Sequence, residues 1–318
     1  MFDRTWHIKI GKYKLMMLDS CTIVRSVEQL VDTAEIVLPG AAFNKTIGIE
    51  KQISEGEKVA IELGYDGNNR LEFEGYLKSI STDDGIIKLN CEDSLYLFRK
   101  RVNDAEHKNI KLSNLINTVI SEIGINCSVE CDYNVTYDKF VFYQATAYDV
   151  LKKVQEDLKA NIFFTNNTLH VHAPYKIIAS SETVKIDFAV NNEKSSLKYV
   201  KAADKNIEIE LTITKPDGKK LTKTAGKSEG EKKQFASPTT NPAEMDSLAK
   251  EIYNSYVYDG YEGSITGWLI PYVEPTYKIS LNDADYEHKN GTYYVTGTKV
   301  SFSKEGGVRE IKLGRRLE

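Results

Sequence analysis

The spacing of apolar residues changes period twice along this chain, and that constrains the fold more than any other feature of the sequence. Up to about Cys91 the period is two. Trp6, Ile8 and Ile10 alternate with polar neighbours, as do Val59, Ile61 and Leu63, then Leu71, Phe73 and Gly75, while Cys21–Val24, Ala34–Leu38 and Ile86–Cys91 are short β-rich runs. A strand with one buried face requires this pattern. Between the runs lie Pro39-Gly40, Tyr65-Asp66-Gly67-Asn68-Asn69 and Asp83-Asp84-Gly85, turn sequences whose Asp, Asn and Gly tolerate positive φ. Short strands at such intervals predict an antiparallel barrel or sandwich. Ser94 to Arg101 reads as a short exit helix or turn.

From residue 104 the period becomes helical. Leu112, Leu115, Ile116, Val119, Ile120 and Ile123 share one face, and Gly124 stands at the C-cap position. A strand from Ile125 to Glu130 and an extended segment from Lys139 to Tyr143 follow. Thr146 is then placed to cap a second helix with Val150, Leu151, Val154 and Leu158 inward. Ile162–Phe164 and Leu169–Val171 predict a hairpin around Asn166-Asn167. Residues 104–174 thus read as a small α/β domain closed by Pro174.

The period returns to two beyond residue 175. Val184–Phe188 and Leu197–Val200 predict strands, and Asn206–Thr214 alternates strictly, with Ile207, Ile209, Leu211 and Ile213 on one face. Its partner returns over Lys219–Ala225 after Lys215-Pro216-Asp217-Gly218, and residues 226–241 read as a polar, mobile stretch. Asn241, Pro242 and Glu244 open a helix to Tyr256, with Met245, Leu248, Ala249, Ile252, Tyr253 and Tyr256 as its buried stripe. Ser264–Ile270, Tyr277–Leu281, Thr292–Phe302 and Val308–Leu313 complete the set. The predicted fold is mainly β with a small α/β domain. Two antiparallel β-barrel-like domains, 1–103 and 175–318, flank the α/β domain 104–174, and the last domain carries an inserted helix near 242–256.

Composition narrows the function. Asp and Glu number 46 against 42 Lys and Arg, a formal charge of −4, so specific nucleic-acid binding is not expected. Mean hydropathy is −0.40, and no apolar run approaches the ~18 residues of a membrane helix, so no stable membrane insertion is expected. The first twelve residues alternate like a strand and lack the apolar stretch of a signal peptide; synthesis in a cytoplasm is expected. Cys21, Cys91, Cys127 and Cys131 are too few and scattered for a disulfide framework. Cys127 and Cys131 lack the second ligand pair of a zinc finger, and packing accounts for them.

No nucleotide-binding, zinc-protease or nucleophile-elbow motif occurs, and no catalytic residue or cofactor is assigned. His170 and His172 share one face of a strand, so both imidazoles are in principle available to one metal. No Asp, Glu or Cys stands beside them in sequence, and they read as polar residues on the solvent face of a hairpin; whether they bind a metal stays open. Asp83-Asp84 and Asp283-Ala284-Asp285 fall where turns are required and lack the loop of a calcium site. Seven lysines lie between Lys215 and Lys233. With Arg absent and acids interspersed, they read as a solvated hairpin edge rather than a phosphate grip. Lys219 and Lys220 at its tip are candidate partner contacts, placed to project and meet an acidic neighbour. Trp268 and Tyr272 are candidates too, either interface anchors or core.

The order of elements resembles the baseplate hub proteins of contractile phage tails, the late control D family, and the hub-like N-terminal part of VgrG. The resemblance rests on residues 242–318: the helix, Gly260-Tyr261-Glu262-Gly263-Ser264-Ile265-Thr266-Gly267-Trp268-Leu269-Ile270-Pro271, then Tyr277–Leu281, Gly291–Phe302 and the closing hairpin Ser303–Leu313 around Gly306-Gly307. It departs from the family at Glu274-Pro275-Thr276, where Pro-Gly is usual, and at Glu318, where no spike or effector follows. It implies a structural protein with no enzyme activity, located in the virion baseplate and assembled in the bacterial cytoplasm. A homotrimer with two tube-like domains per chain would form a pseudo-sixfold ring adapting the tail tube to the central spike. Tail tube, tail spike, baseplate wedge and tape-measure proteins are the implied partners. A hub of a type VI-like or extracellular injection system is the nearest alternative. Of another class, 19 Tyr, 2 Trp and Asp-rich turns motivate a glycan-binding or glycan-hydrolysing β protein.

Overall fold

In a computed structural model the period-two runs at both ends of the chain become neighbours in one large, chiefly antiparallel sheet. The structure describes residues 3–39, 41–42, 45–46, 52–83, 85–215 and 217–317. The expected turn residues Gly40, Asp84 and Pro216 lie outside this set. Within the sheet, Gly306–Arg316 is followed in order by Gly291–Ser303, Ser20–Ser26, Thr33–Pro39, Ile86–Glu92, Asn68–Asp83, Lys58–Tyr65, Arg4–Ile10 and Tyr13–Leu15. The first and last segments therefore pair directly, with Thr22 opposite Ser301 and Ile23 opposite Val300. Alternation puts Ile8, Ile10, Ile23, Ile36, Ile61 and Leu89 into a single core that also takes Val300 and Phe302.

The chain packs into two compact units, each built from separated segments. The first comprises 1–96, 179–197 and 263–318; the second comprises 97–178 and 198–262. Helix α1 (Leu112–Ile123), in the second unit, follows strand Ala105–Lys111 without a break and has no side-chain N-cap. A missing cap costs ~1 kcal/mol, which the six buried apolar side chains of α1 outweigh at about 1.5–3 kcal/mol each. Gly124 ends it at φ 67°, a left-handed conformation that costs glycine no Cβ clash. Helix α2 (Ala147–Leu158) starts with a full capping box. Thr146 Oγ1 accepts from the Asp149 amide at 3.2 Å, and Asp149 Oδ2 accepts from the Thr146 amide at 2.9 Å. The hairpin Asn161–Thr165/Thr168–His172 turns at Asn166 and Asn167, both at positive φ.

Two expectations are corrected in this unit. Residues 226–241 include a strand, Glu231–Ala236, parallel to Ile207–Thr214. Its polar pattern conceals it, because the side chains that supplement the backbone ladder are mostly polar or charged: Lys232 pairs with Glu208, Gln234 with Glu210, and Lys233 lies over Tyr256, on which Phe235 stacks at 6.5 Å. The lysine-tipped hairpin belongs to a separate three-stranded sheet, Lys220–Gly226, Ile207–Thr214, Glu231–Ala236, covered by α3 (Pro242–Tyr256). Met245, Leu248, Ala249 and Ile252 face inward as expected, and Asn241 accepts from the Ala243 amide at 3.0 Å. Glu244 does not close a capping box; it reaches across to accept from the Thr136 amide at 2.8 Å, tying this sheet to the α/β segment.

Candidate functional site

In the first unit, the segment Trp268–Glu274 leaves strand Gly260–Trp268 with its side chains out, in, out. Trp268 is 47% exposed and Ile270 63% exposed, while Leu269 between them enters the core at 3%. The Ile270–Pro271 peptide is cis. Trp268 leans on Tyr65, ring centres 6.3 Å apart. It borders a cleft of about 780 Å³ shared with Arg4, Trp6 and Phe302, and a second cavity of about 220 Å³ shared with Arg70 and Tyr272.

Beneath this exposed pair lies a buried set of charges. Strand Gly306–Arg316 turns Gly307, Arg309, Ile311 and Leu313 inward, so Arg309 is the one charge on an apolar face. Its guanidinium donates to Glu72 Oε1 at 2.7 Å, to the Leu269 carbonyl at 3.1 and 3.2 Å, and to the Val273 carbonyl at 3.3 Å. Arg309 thereby satisfies carbonyls of the segment that follows the strand. Burial pushes the Glu72 carboxyl up, against the pull of Arg309. Tyr272 points into this scaffold. Arg70 lies 3.8 Å over its ring, its hydroxyl donates to Glu274, and Glu274 pairs with Arg25 at 3.0 Å. Arg25 also pairs with Asp32 at 3.1 Å. Burial opposes its charge, but Asp32 and Glu274 prevail and raise its pKa. Of the two aromatic candidates, then, Trp268 is presented to solvent, and Tyr272 stiffens the segment that presents it.

Asp93 accepts from the Leu95 amide at 3.0 Å, starting the 3₁₀ turn Ser94–Arg99. Burial first, and then the nearby Asp32 charge, raise its pKa well above the ordinary carboxyl value. A carboxyl whose pKa is raised on folding loses stability as pH climbs from the unfolded value, about 3.9, through the folded one. Asp93→Asn keeps the Leu95 acceptor and abolishes that loss. Its stability relative to wild type is expected to improve between pH 4 and pH 8 in urea titrations; a pH-independent difference would contradict this.

In the second unit, Lys219 and Lys220 are exposed at the hairpin tip, with Lys219 Nζ 3.8 Å from Asp217 Oδ2. His170 and His172 are not where the sequence put them. Both are buried, at 5% and 3% exposure, because strand Ser128–Cys131 covers them by pairing in parallel with Thr168–His172. That register sets Glu130 opposite His170, and the ladder continues as the Asp132 amide donates to the Val171 carbonyl. The carboxylates absent beside the histidines in sequence thus arrive from forty residues away. Glu130-x-Asp132 has the same two-residue spacing as His170-x-His172, the one sequence signal that relates them. Burial lowers the pKa of both imidazoles, partly offset by Glu130 at His170 and by Asp132 at His172. Cys127 and Cys131 are free and half-buried.

No protein-family model matches the chain, and no curated protein matches it. Its fold is shared with solved structures. The 43 kDa tail protein of prophage MuSo2 from Shewanella oneidensis is 14% identical with a TM-score of 0.66, and the likeness covers 98% of each chain. A tail protein of Neisseria meningitidis MC58 is 13% identical with a TM-score of 0.68, over 98% of this chain and 96% of that one. The E. coli c3393 protein is a component of the type VI secretion system with structural similarity to T4 bacteriophage tail proteins gp27 and gp5. It is 10% identical with a TM-score of 0.62, over 98% of this chain and 77% of that one. At these identities the likeness is one of fold.

Proposed function

We propose that this chain is a structural component of a contractile tail or injection apparatus and, within it, the baseplate hub. In this reading three copies form a ring that receives the tail tube on one side and the central spike on the other. The observation that supports it most is likeness to a prophage tail protein over 98% of both chains, which leaves little of the chain for another activity. Fold alone does not fix function. The reading draws further support from the sequence pattern of residues 242–318 and from an exposed aromatic–aliphatic pair on a rigid mount. Quantitative mass spectrometry of purified tail particles tests it. Three copies per particle are expected, and a chain absent from particles produced by its own host contradicts it.

The exposed tip of the lysine hairpin is assigned to an acidic neighbour in the ring. Charges at an interface rim act mainly on encounter rate. Lys219→Glu with Lys220→Glu is expected to leave the folded chain intact and slow assembly about tenfold or more, most strongly at low salt, where screening is least. Stopped-flow light scattering at two ionic strengths reads this out. Equal rates in 20 and 300 mM salt would reduce the tip to a solvated loop.

A further inference from the structure

We propose that Glu130, His170 and His172 form a binding site for a divalent transition-metal ion of the zinc class, with Asp132 as the carboxylate that orients His172. The inference stands on the geometry of the second unit and is independent of the hub assignment. His170 Nδ1 and His172 Nε2 are 3.2 Å apart, and Glu130 Oε2 is 3.3 Å from the former and 3.8 Å from the latter, so the three donor atoms form one tight cluster. Two donors each ~2.0–2.1 Å from a tetrahedral ion lie about 3.3–3.4 Å from one another. The trio therefore already forms one face of such a coordination sphere.

The protonation pattern fits as well. A metal needs the lone pair of His172 Nε2, which requires the ring proton on Nδ1. Asp132 Oδ2 stands 2.9 Å from that Nδ1, where a small rotation of either side chain would let it accept the ring proton, as in the carboxylate–histidine–metal arrangement of many zinc sites. Lys176 pairs with Asp132 at 3.3 Å. Phe163 stacks on His170, ring centres 4.8 Å apart and planes 13° from parallel, and fixes that imidazole. Without an ion, two buried imidazole nitrogens face each other and one of them must donate; with an ion, both present lone pairs to it. Two imidazoles select zinc, nickel or copper over magnesium or calcium. The Glu130 side chain is 57% exposed, so the fourth coordination position opens to water. Three protein donors join strand Ser128–Cys131 to the hairpin through the ion, a staple for a four-residue strand.

The test uses the full chain, stripped with a chelator and titrated with zinc chloride by calorimetry. One ion per chain is expected, with no heat from magnesium. Glu130→Gln, at an exposed position that leaves the fold intact by circular dichroism, is expected to weaken zinc binding at least tenfold. Asp132→Asn is expected to weaken it ten- to a hundredfold through His172. Cobalt substitution adds a signature: visible d–d bands of tetrahedral intensity, diminished in Glu130→Gln. A wild-type chain that takes up no stoichiometric zinc, or a Glu130→Gln variant with unchanged zinc affinity, would overturn the proposal.

Discussion

Arg309→Met is expected to cost about 3–5 kcal/mol of stability, because it leaves the Glu72 carboxylate buried without its partner. Arg309 is 2% exposed and Glu72 4%, so neither side chain has water to turn to. The same substitution strips donors from the Leu269 and Val273 carbonyls, and each such group left buried adds about 1–3 kcal/mol. The upper part of the range is therefore the expected one. Adding Glu72→Gln to Arg309→Met removes the orphaned charge and should recover at least ~1 kcal/mol, whereas the carbonyls stay unmet and keep the double variant below wild type. Urea titrations of the four proteins form the cycle. A loss under 1 kcal/mol for Arg309→Met would show that the pair contributes nothing the site does not get elsewhere.

The second large effect concerns association. Trp268 and Ile270 stand exposed on a segment that Arg309 anchors at the Leu269 and Val273 carbonyls; if the proposed ring places this pair between neighbouring copies, it anchors that contact. Aromatic anchors at the centre of an interface typically contribute 2 kcal/mol or more. Trp268→Ala combined with Ile270→Asp should thus weaken self-association at least ~30-fold. Substitutions at exposed positions usually move stability by about 0.5 kcal/mol or less, so the isolated chain should melt almost as wild type does. Sedimentation velocity over a concentration series measures the first quantity and calorimetry the second. Unchanged association with an unchanged melt would move the contact elsewhere on the surface.

The three helices were legible because everything that defines them is local. Leu112 to Ile123 shows its stripe and its Gly124 stop in sequence, and Asn241-Pro242 announces α3. Strand identity was legible in the same way. Strand partners were not. Nothing around Thr22 indicates that it pairs with Ser301, because register between distant strands depends on which apolar faces meet, and every period-two run offers a similar face. The histidine cluster failed for the same reason. Alternation places His170 and His172 on one face, but their burial comes from Glu130 and Asp132 on a strand laid parallel to theirs, a non-local event. Arg309 was hidden differently. It follows Gly306-Gly307-Val308 in a run whose polar residues, Glu310 and Lys312, face outward, and only the ladder shows that its own parity points to the core. Glu231–Ala236 was missed because its first four residues are all polar and only Phe235 and Ala236 follow as apolar ones.

The central claim is that copies of this chain close into a ring of three between tube and spike. Light scattering coupled to size exclusion measures it directly, on the chain alone and mixed with tail tube and spike proteins of the same host. The account predicts a species of three chains' mass, either with the chain alone or once the spike is added, and its binding to the tube. A chain that stays monomeric by itself and in the presence of both partners would contradict it.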